Sequence, residues 1–276
     1  MQTLALERTY RVVLPAAEQL NVILVGVGGT GSALALSLGR LAYHLKQKGV
    51  DVNLLFVDHD VVKSHNLGRQ AFCEAEIGVR KAECLALRLN AALGLAITAA
   101  PVPFTAERFA EWTSGWQEPA GCNLLISAVD NYLARREVAA AIAAEGGTWH
   151  ALSLGNEHHS GQILMGNATA PEMVRFDKLG LVSGIPSPYL QEPALLEPPP
   201  AGATPLSCAE LTAREEQSLV VNQQVAAIAA EYVYQFLVRR ELAQMATYFT
   251  LSPATTRSLA LTEVNVNACF GERDES

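Results

Sequence analysis

Apolar residues recur along this chain in short blocks that switch between two periods. Asn21 to Val25 ends in an apolar run of strand length, and Thr30 to Lys48 then carries Ala and Leu at helical spacing. The alternation continues, with strands expected at 52–57, 96–103, 123–129, 148–153 and 161–166 and helices near 78–93 and 133–145. It implies an α/β fold, a doubly wound, mostly parallel Rossmann-like sheet with crossover helices on both faces. Ligands bind such sheets at the carboxyl edge of the strands.

The pattern changes after Ala170. Eight of the 13 prolines fall between Pro171 and Pro205, which excludes a regular helix or central strand there. A long mobile or extended crossover is expected, with Tyr189, Leu190, Leu195 and Leu196 as its apolar anchors. Beyond Ser207, a long helix is expected over 217–245 and strands over 246–252 and 258–266, the last extending the sheet as an antiparallel strand.

Composition narrows the class. The 276 residues, half of them hydrophobic, can bury a full core as one large domain. No apolar run is long and unbroken enough to span a bilayer, and the first residues lack a basic start followed by an apolar core, so a cytoplasmic location is expected. Five cysteines without paired spacing suit a reducing compartment. The net charge of -8 argues against general nucleic-acid binding and fits a protein partner or a small molecule.

Candidate chemistry concentrates near the N-terminal strand-to-helix turn. Gly26, Gly28 and Gly31 match the spacing that allows a tight turn, close approach of a phosphate to the backbone, and close packing of helix on strand. The helix start that follows attracts anions. Asp58 closes the next strand, where an acid accepts ribose hydroxyls. A nicotinamide-dependent dehydrogenase would need nothing more, yet Asp60, Asn66, Arg69, Gln70 and Lys81 follow at short spacing. Arg presents a planar fork to phosphate oxygens and Lys a point charge, so these residues read as phosphate and metal chemistry.

The string from Asp58 through Asn66-Leu-Gly-Arg69-Gln70, with Gly-x-Gly-Gly-x-Gly-Ser before it, resembles the ThiF/MoeB superfamily, which includes the ubiquitin-activating enzymes. The resemblance is strong over about residues 20–165. It implies ATP-dependent adenylation of the C-terminal glycine carboxylate of a small ubiquitin-like protein, with release of pyrophosphate. It assigns Gly28 and Gly29 to the phosphate turn, Asp58 to the ribose, Asn66, Arg69 and Lys81 to the triphosphate, and Asp130 to Mg²⁺. It also implies a homodimer in which an N-terminal Arg completes the neighbour's site, with Arg8 and Arg11 as candidates. On this reading 1–276 is a single adenylation domain, comprising a nucleotide-binding core (1–169), the proline-rich crossover (170–207) and a C-terminal helix with strands (208–276).

Cys208 follows the crossover, where thioester- or persulfide-forming members supply a catalytic cysteine; the alternative is a loop cysteine without chemistry. The two Cys-x-x-Cys pairs that hold structural zinc in many bacterial relatives are missing, so no zinc is expected. His158-His159 reads as a turn near the channel for the partner's tail. The lack of zinc cysteines, the proline-rich crossover and Ser-Cys-Ala-Glu followed by Gln-Ser-Leu-Val-Val-Asn-Gln resemble the ThiF-related proteins of PRTRC cassettes, which would add a conjugating-enzyme-like partner. Two alternatives stay open: a non-catalytic ATP-binding partner subunit and an NAD(P)-dependent oxidoreductase.

Overall fold

The computed structural model describes residues 7–116, 122–198 and 220–271. The short strands β1 (Val12–Val13) and β8 (Glu241–Leu242) pair antiparallel as a separate ribbon. The main sheet has eight strands in the order β10-β9-β7-β6-β5-β2-β3-β4. Its parallel part is β2 (Gln19–Val25), β3 (Asp51–Val57), β4 (Thr98–Ala100), β5 (Asn123–Ser127) and β6 (Trp149–Asn156). The antiparallel part is β7 (Ser160–Gly166), β9 (Gln244–Leu251) and β10 (Ala254–Ala260).

Helices cover both faces, as the alternation predicts. On one side α1 (Gly29–Gln47), α2 (Lys81–Leu93) and α6 (Val221–Tyr234) bury Leu34, Leu85 and Val225 in one apolar cluster. On the other, α3 (Ala106–Thr113) and α4 (Tyr132–Ala144) bury Phe109 and Val138 around Trp149. The strand runs in β2 and β5 are almost wholly buried because both faces carry a helix layer. The chain leaves β2 toward β3 on one side, and β5 lies on the other. The crevice at the carboxyl ends of β2 and β5 is therefore the topological switch point, where such sheets bind ligands.

One polar row crosses this apolar interior. Asn21 lies in register with Asn53 and Asn123 on its two neighbouring strands. Asn53 Nδ2 donates to Asn21 Oδ1 and Asn21 Nδ2 to Asn123 Oδ1, both at 2.9 Å. A one-residue slip of either pairing would leave buried amides without partners, so the row locks the register.

Several boundaries differ from expectation. The strand expected at 96–103 is only β4, because three residues find partners on β3. The second helix starts at Lys81 rather than 78, since Gly78 takes φ +87° and Arg80 caps the helix in an extended conformation. The helix expected over 217–245 ends its α turns at Tyr234, passes through a π turn at Gln235–Arg239 and stops at Arg240 in the left-handed region (residues 217–219 lie outside the described ones). Pairing of Glu241–Leu242 with β1, and of Gln244 at the start of β9 with β10, outweighs the helical composition of 241–245. The strand expected over 258–266 also moves. β10 occupies 254–260, and Thr262 Oγ1 accepts from Asn265 N to cap α7 (Glu263–Ala268).

As far as Pro198 the proline-rich stretch packs across the sheet. It forms one-turn pieces, including α5 (Pro188–Gln191), with Ile185 and Tyr189 buried. The segment crosses β7 so closely that a β-carbon on Gly166 would sit 1.9 Å from the Pro186 carbonyl oxygen. Prolines that fix φ while donating no N–H suit such a path across a covered surface.

Candidate nucleotide site

The switch-point crevice holds a cavity of about 630 Å³. Its floor is the glycine turn. Gly26 has φ +84°, and a β-carbon there would lie 2.8 Å from the Ala128 carbonyl oxygen at the end of β5. A β-carbon on Gly31 would lie 1.9 Å from the Gly26 carbonyl oxygen, so Gly31 lets α1 start directly against the turn. The helix begins at Gly28 without a side-chain cap. Its leading N–H groups are left for an anionic ligand.

Asp58 stands beside this turn with both carboxylate oxygens fixed. Oδ2 accepts from Val27 N and Oδ1 from Asp60 N, each at 2.8 Å. Burial pushes its pKa up, against the pull of those two bonds and of Lys81. Each oxygen keeps a second lone-pair direction with which to meet a hydroxyl.

Lys81 opens α2, and its Nζ donates to Asp60 Oδ2 at 2.9 Å from a nearly buried position. The largest influence on Asp60 is burial, which raises its pKa. The bond and charge of Lys81, with His59 and Lys63, outweigh it and hold the carboxyl below the usual range. Asp58, His59 and Asp60 form a three-residue group whose ligand atoms lie within 4.8 Å of one another. Within it Asp58 is held by two N–H groups and Asp60 by Lys81.

Gln70 leans over the turn, with Nε2 4.0 Å from where a β-carbon on Gly28 would be. Its buried Oε1 has no hydrogen-bond partner among the described residues. Asp130 is exposed at the opposite rim, next to Asn131, whose Oδ1 caps α4 by accepting from Ala134 N. The far end of the cavity is apolar, with Val102, Pro103, Phe104 and Leu133.

The cavity therefore gathers Gly26, Gly28, Gly29, Asp58, Asp60, Gln70, Lys81 and Asp130 of the residues singled out in the sequence. Others lie behind it. Gly31 is packed into the turn. Asn66 is buried, and its Oδ1 accepts from Lys63 N in a one-turn 3-10 helix. Arg69 follows on the same turn, its N–H donating to the Asn66 carbonyl, and is not among the lining residues. Arg8 donates to the Lys178 carbonyl and covers the Tyr10 ring, while Arg11 pairs with Glu241; neither lines this cavity. His158 and His159 pack edge to face in the β6–β7 turn, also outside it. Cys208 lies outside the described residues.

Three residues were not visible in the sequence. Arg135, buried in α4, donates to the Val129 and Leu154 carbonyls and to Ser153 Oγ, which holds the strand ends that flank Asp130. Burial lowers its pKa, and the nearby Tyr189 and Asp130 oppose this. Asn156 at the end of β6 and Asn222 at the start of α6 meet across the turn, joined by an amide hydrogen bond of 2.7 Å. No helix among the described residues is long and apolar enough to cross a membrane.

The ThiF family model matches residues 13–269. The chain belongs to the ThiF family. Solved structures with this ThiF fold include PaaA, at TM-score 0.56 and 14% identity, covering 89% of this chain and 65% of that one. Another is E. coli MccB with AMPCPP and MccA, at TM-score 0.57 and 14% identity, covering 89% of this chain and 64% of that one. E. coli MccB with ATP has TM-score 0.55 and 14% identity, covering 88% and 64%. At these identities the likeness is one of fold, and this ThiF chain spans about 65% of the length of those proteins. No curated protein gives a significant match.

Proposed function

We propose that this ThiF-family chain uses ATP to adenylate the C-terminal carboxylate of a small ubiquitin-like protein, releasing pyrophosphate. The observation that carries this reading is the convergence on one cavity of a glycine turn at a helix start, a nearly buried lysine and an exposed carboxylate. A dehydrogenase would leave the Lys81–Asp60 pair and Asp130 without a shared purpose. The fold shared with E. coli MccB, solved with ATP and with AMPCPP plus MccA, supports the same class of chemistry.

The residues fit the nucleotide and its metal. The turn has no β-carbon where phosphate must approach, the Gln70 Nε2 donor reaches over the same corner, and Asp130 supplies a hard oxygen ligand suited to Mg²⁺. Bound there, Mg²⁺ would neutralise charge on the triphosphate. Gly28 and Gly29 offer backbone N–H groups to phosphate, Asp58 orients the ribose, and the apolar end takes the base. Lys81, released from Asp60, and Arg69, with Asn66 fixing the turn beneath it, stabilise charge on the departing pyrophosphate. No protein base is needed, because the attacking carboxylate is already ionised at neutral pH. The Cys208 thiolate then attacks the acyl carbon of the adenylate, forming a thioester as the bond to the phosphate oxygen breaks and AMP leaves. The chain works as a cytoplasmic homodimer, with a conjugating-enzyme-like protein downstream, as in PRTRC cassettes.

Source-cell extract passed over the immobilised protein with Mg²⁺ and α-labelled ATP tests this reading. A small protein retained as its AMP adduct, or as a reducible adduct on Cys208, is the expected result. ATP binding with no labelled protein moves the reading to a small-molecule substrate or a binding-only subunit.

A further inference from the structure

Asn222 occupies a position that the nucleotide chemistry above leaves unexplained. It is the second residue of α6, is 4% exposed, and lines the cavity beside Gly29. Its Oδ1 accepts two hydrogen bonds, from Thr30 Oγ1 at 3.0 Å and from Asn156 Nδ2 at 2.7 Å. Two donors on the oxygen fix the amide plane and turn the Nδ2 side toward Gly29. A β-carbon on Gly29 would lie 2.5 Å from Nδ2 but 3.1 Å from Oδ1. The sequence therefore keeps a glycine where this NH₂ group reaches the phosphate turn. The three side chains come from α1, β6 and α6, so the amide is held by three separate elements.

We propose that Asn222 is a catalytic residue that binds the substrate's carboxylate, donating from Nδ2 to the oxygen that does not attack. The inference rests on the adenylation reading and adds to it the residue that holds the substrate's carboxylate in place. In the reaction, one carboxylate oxygen forms a bond to the α-phosphorus. The bond from that phosphorus to the oxygen bridging to the β-phosphate breaks, and its electron pair leaves with pyrophosphate. No proton moves. The second carboxylate oxygen becomes the carbonyl oxygen of the acyl phosphate, and a neutral N–H donor serves it before and after the step. A fixed donor beside the phosphate turn costs no reorganisation as the bond forms. The start of α6 adds the positive end of a 14-residue helix on the same side.

The nearly isosteric Asn222→Asp keeps an acceptor for Thr30 and Asn156 while replacing the donor by a negative oxygen. Two probes separate the roles: Mg-AMPCPP reads the nucleotide site, and N-acetylglycyl-sulfamoyl-adenosine, a stable acyl-adenylate mimic, reads the acyl site. The expected result is a loss of affinity for the mimic at least tenfold greater than the loss for Mg-AMPCPP, whose triphosphate also meets the new charge. Asn222→Gly, which removes the donor without adding charge, should show the same split with a smaller loss. Equal losses for both probes, or unchanged binding of the mimic, would overturn the assignment while leaving adenylation standing. A wild-type protein that binds Mg-AMPCPP but holds the mimic no better than AMP would instead overturn the adenylation reading, and this inference with it. Melting temperatures of both variants show whether the fold is kept. If Asn222→Asp does not fold, Asn222→Gly decides by the same criteria.

Discussion

Lys81 Nζ and Asp60 Oδ2 lie 2.9 Å apart, with the lysine side chain 7% exposed and the aspartate half exposed. A nearly buried ammonium needs a counter-charge, and Asp60 supplies it until a triphosphate arrives. The pair thus keeps Lys81 extended along the cavity wall when no nucleotide is bound. Asp60→Asn should lower the melting temperature, and saturating Mg-ATP should restore more of it than in the wild type. A thermal-shift titration of both proteins checks this; equal ATP-induced shifts would show that Lys81 does not exchange partners.

Gly31 and Gly29 predict different failures. A β-carbon on Gly31 meets the backbone oxygen of Gly26, which cannot move without opening the turn. Gly31→Ala should therefore cost about 1–3 kcal/mol of stability, as overpacking does. A β-carbon on Gly29 meets only the Asn222 side chain. Gly29→Ala must displace the held Asn222 amide but no backbone atom, so it should cost less stability than Gly31→Ala while disturbing the cavity and weakening Mg-ATP binding. Urea unfolding and nucleotide titration of the two variants separate these outcomes.

His150 on β6 is buried against Phe236 with neither ring nitrogen bonded among the described residues, and burial pushes its pKa down to about 4. The folded state prefers the neutral ring, whereas the unfolded chain takes up a proton near pH 6.5. Its contribution is complete above pH 6.5, declines as pH falls toward 4, and is constant below that. Stability should drop across this window, and His150→Phe should flatten the drop. Denaturant unfolding at pH 7 and pH 4.5 measures both.

The asparagine row predicts a fourth effect. Asn21→Ala removes the central member and leaves Asn53 and Asn123 with one lost partner each. A loss of about 1–3 kcal/mol per orphaned amide is expected. The double change Asn21→Ala with Asn53→Ala should cost less than the sum of the two, which a double-mutant cycle measures.

The sequence was most legible where the site is built from neighbours in the chain. The turn from Val25 to Ser32, Asp58 at the end of β3 and Lys81 at the start of α2 are local patterns with one physical reading each. The doubly wound sheet followed from apolar periodicity for the same reason. Asn156 and Asn222 were invisible because their meaning is a contact between residues 66 positions apart, and Thr30 reaches Asn222 across 192. Arg135 was invisible for the same reason, since its role lies in its contacts with the Val129 and Leu154 carbonyls. The C-terminal boundaries shifted because the pairing of Glu241–Leu242 with β1, and of β9 with β7 and β10, overrode the helical composition there.

The most direct measurement of the central claim is ATP–pyrophosphate exchange, run with the small-protein fraction of source-cell extract. Wild-type protein should exchange label into ATP, and Asp130→Ala and Arg69→Ala should abolish exchange while keeping the wild-type melting transition. Exchange at the wild-type rate in either variant would contradict the assignment of these residues to adenylation.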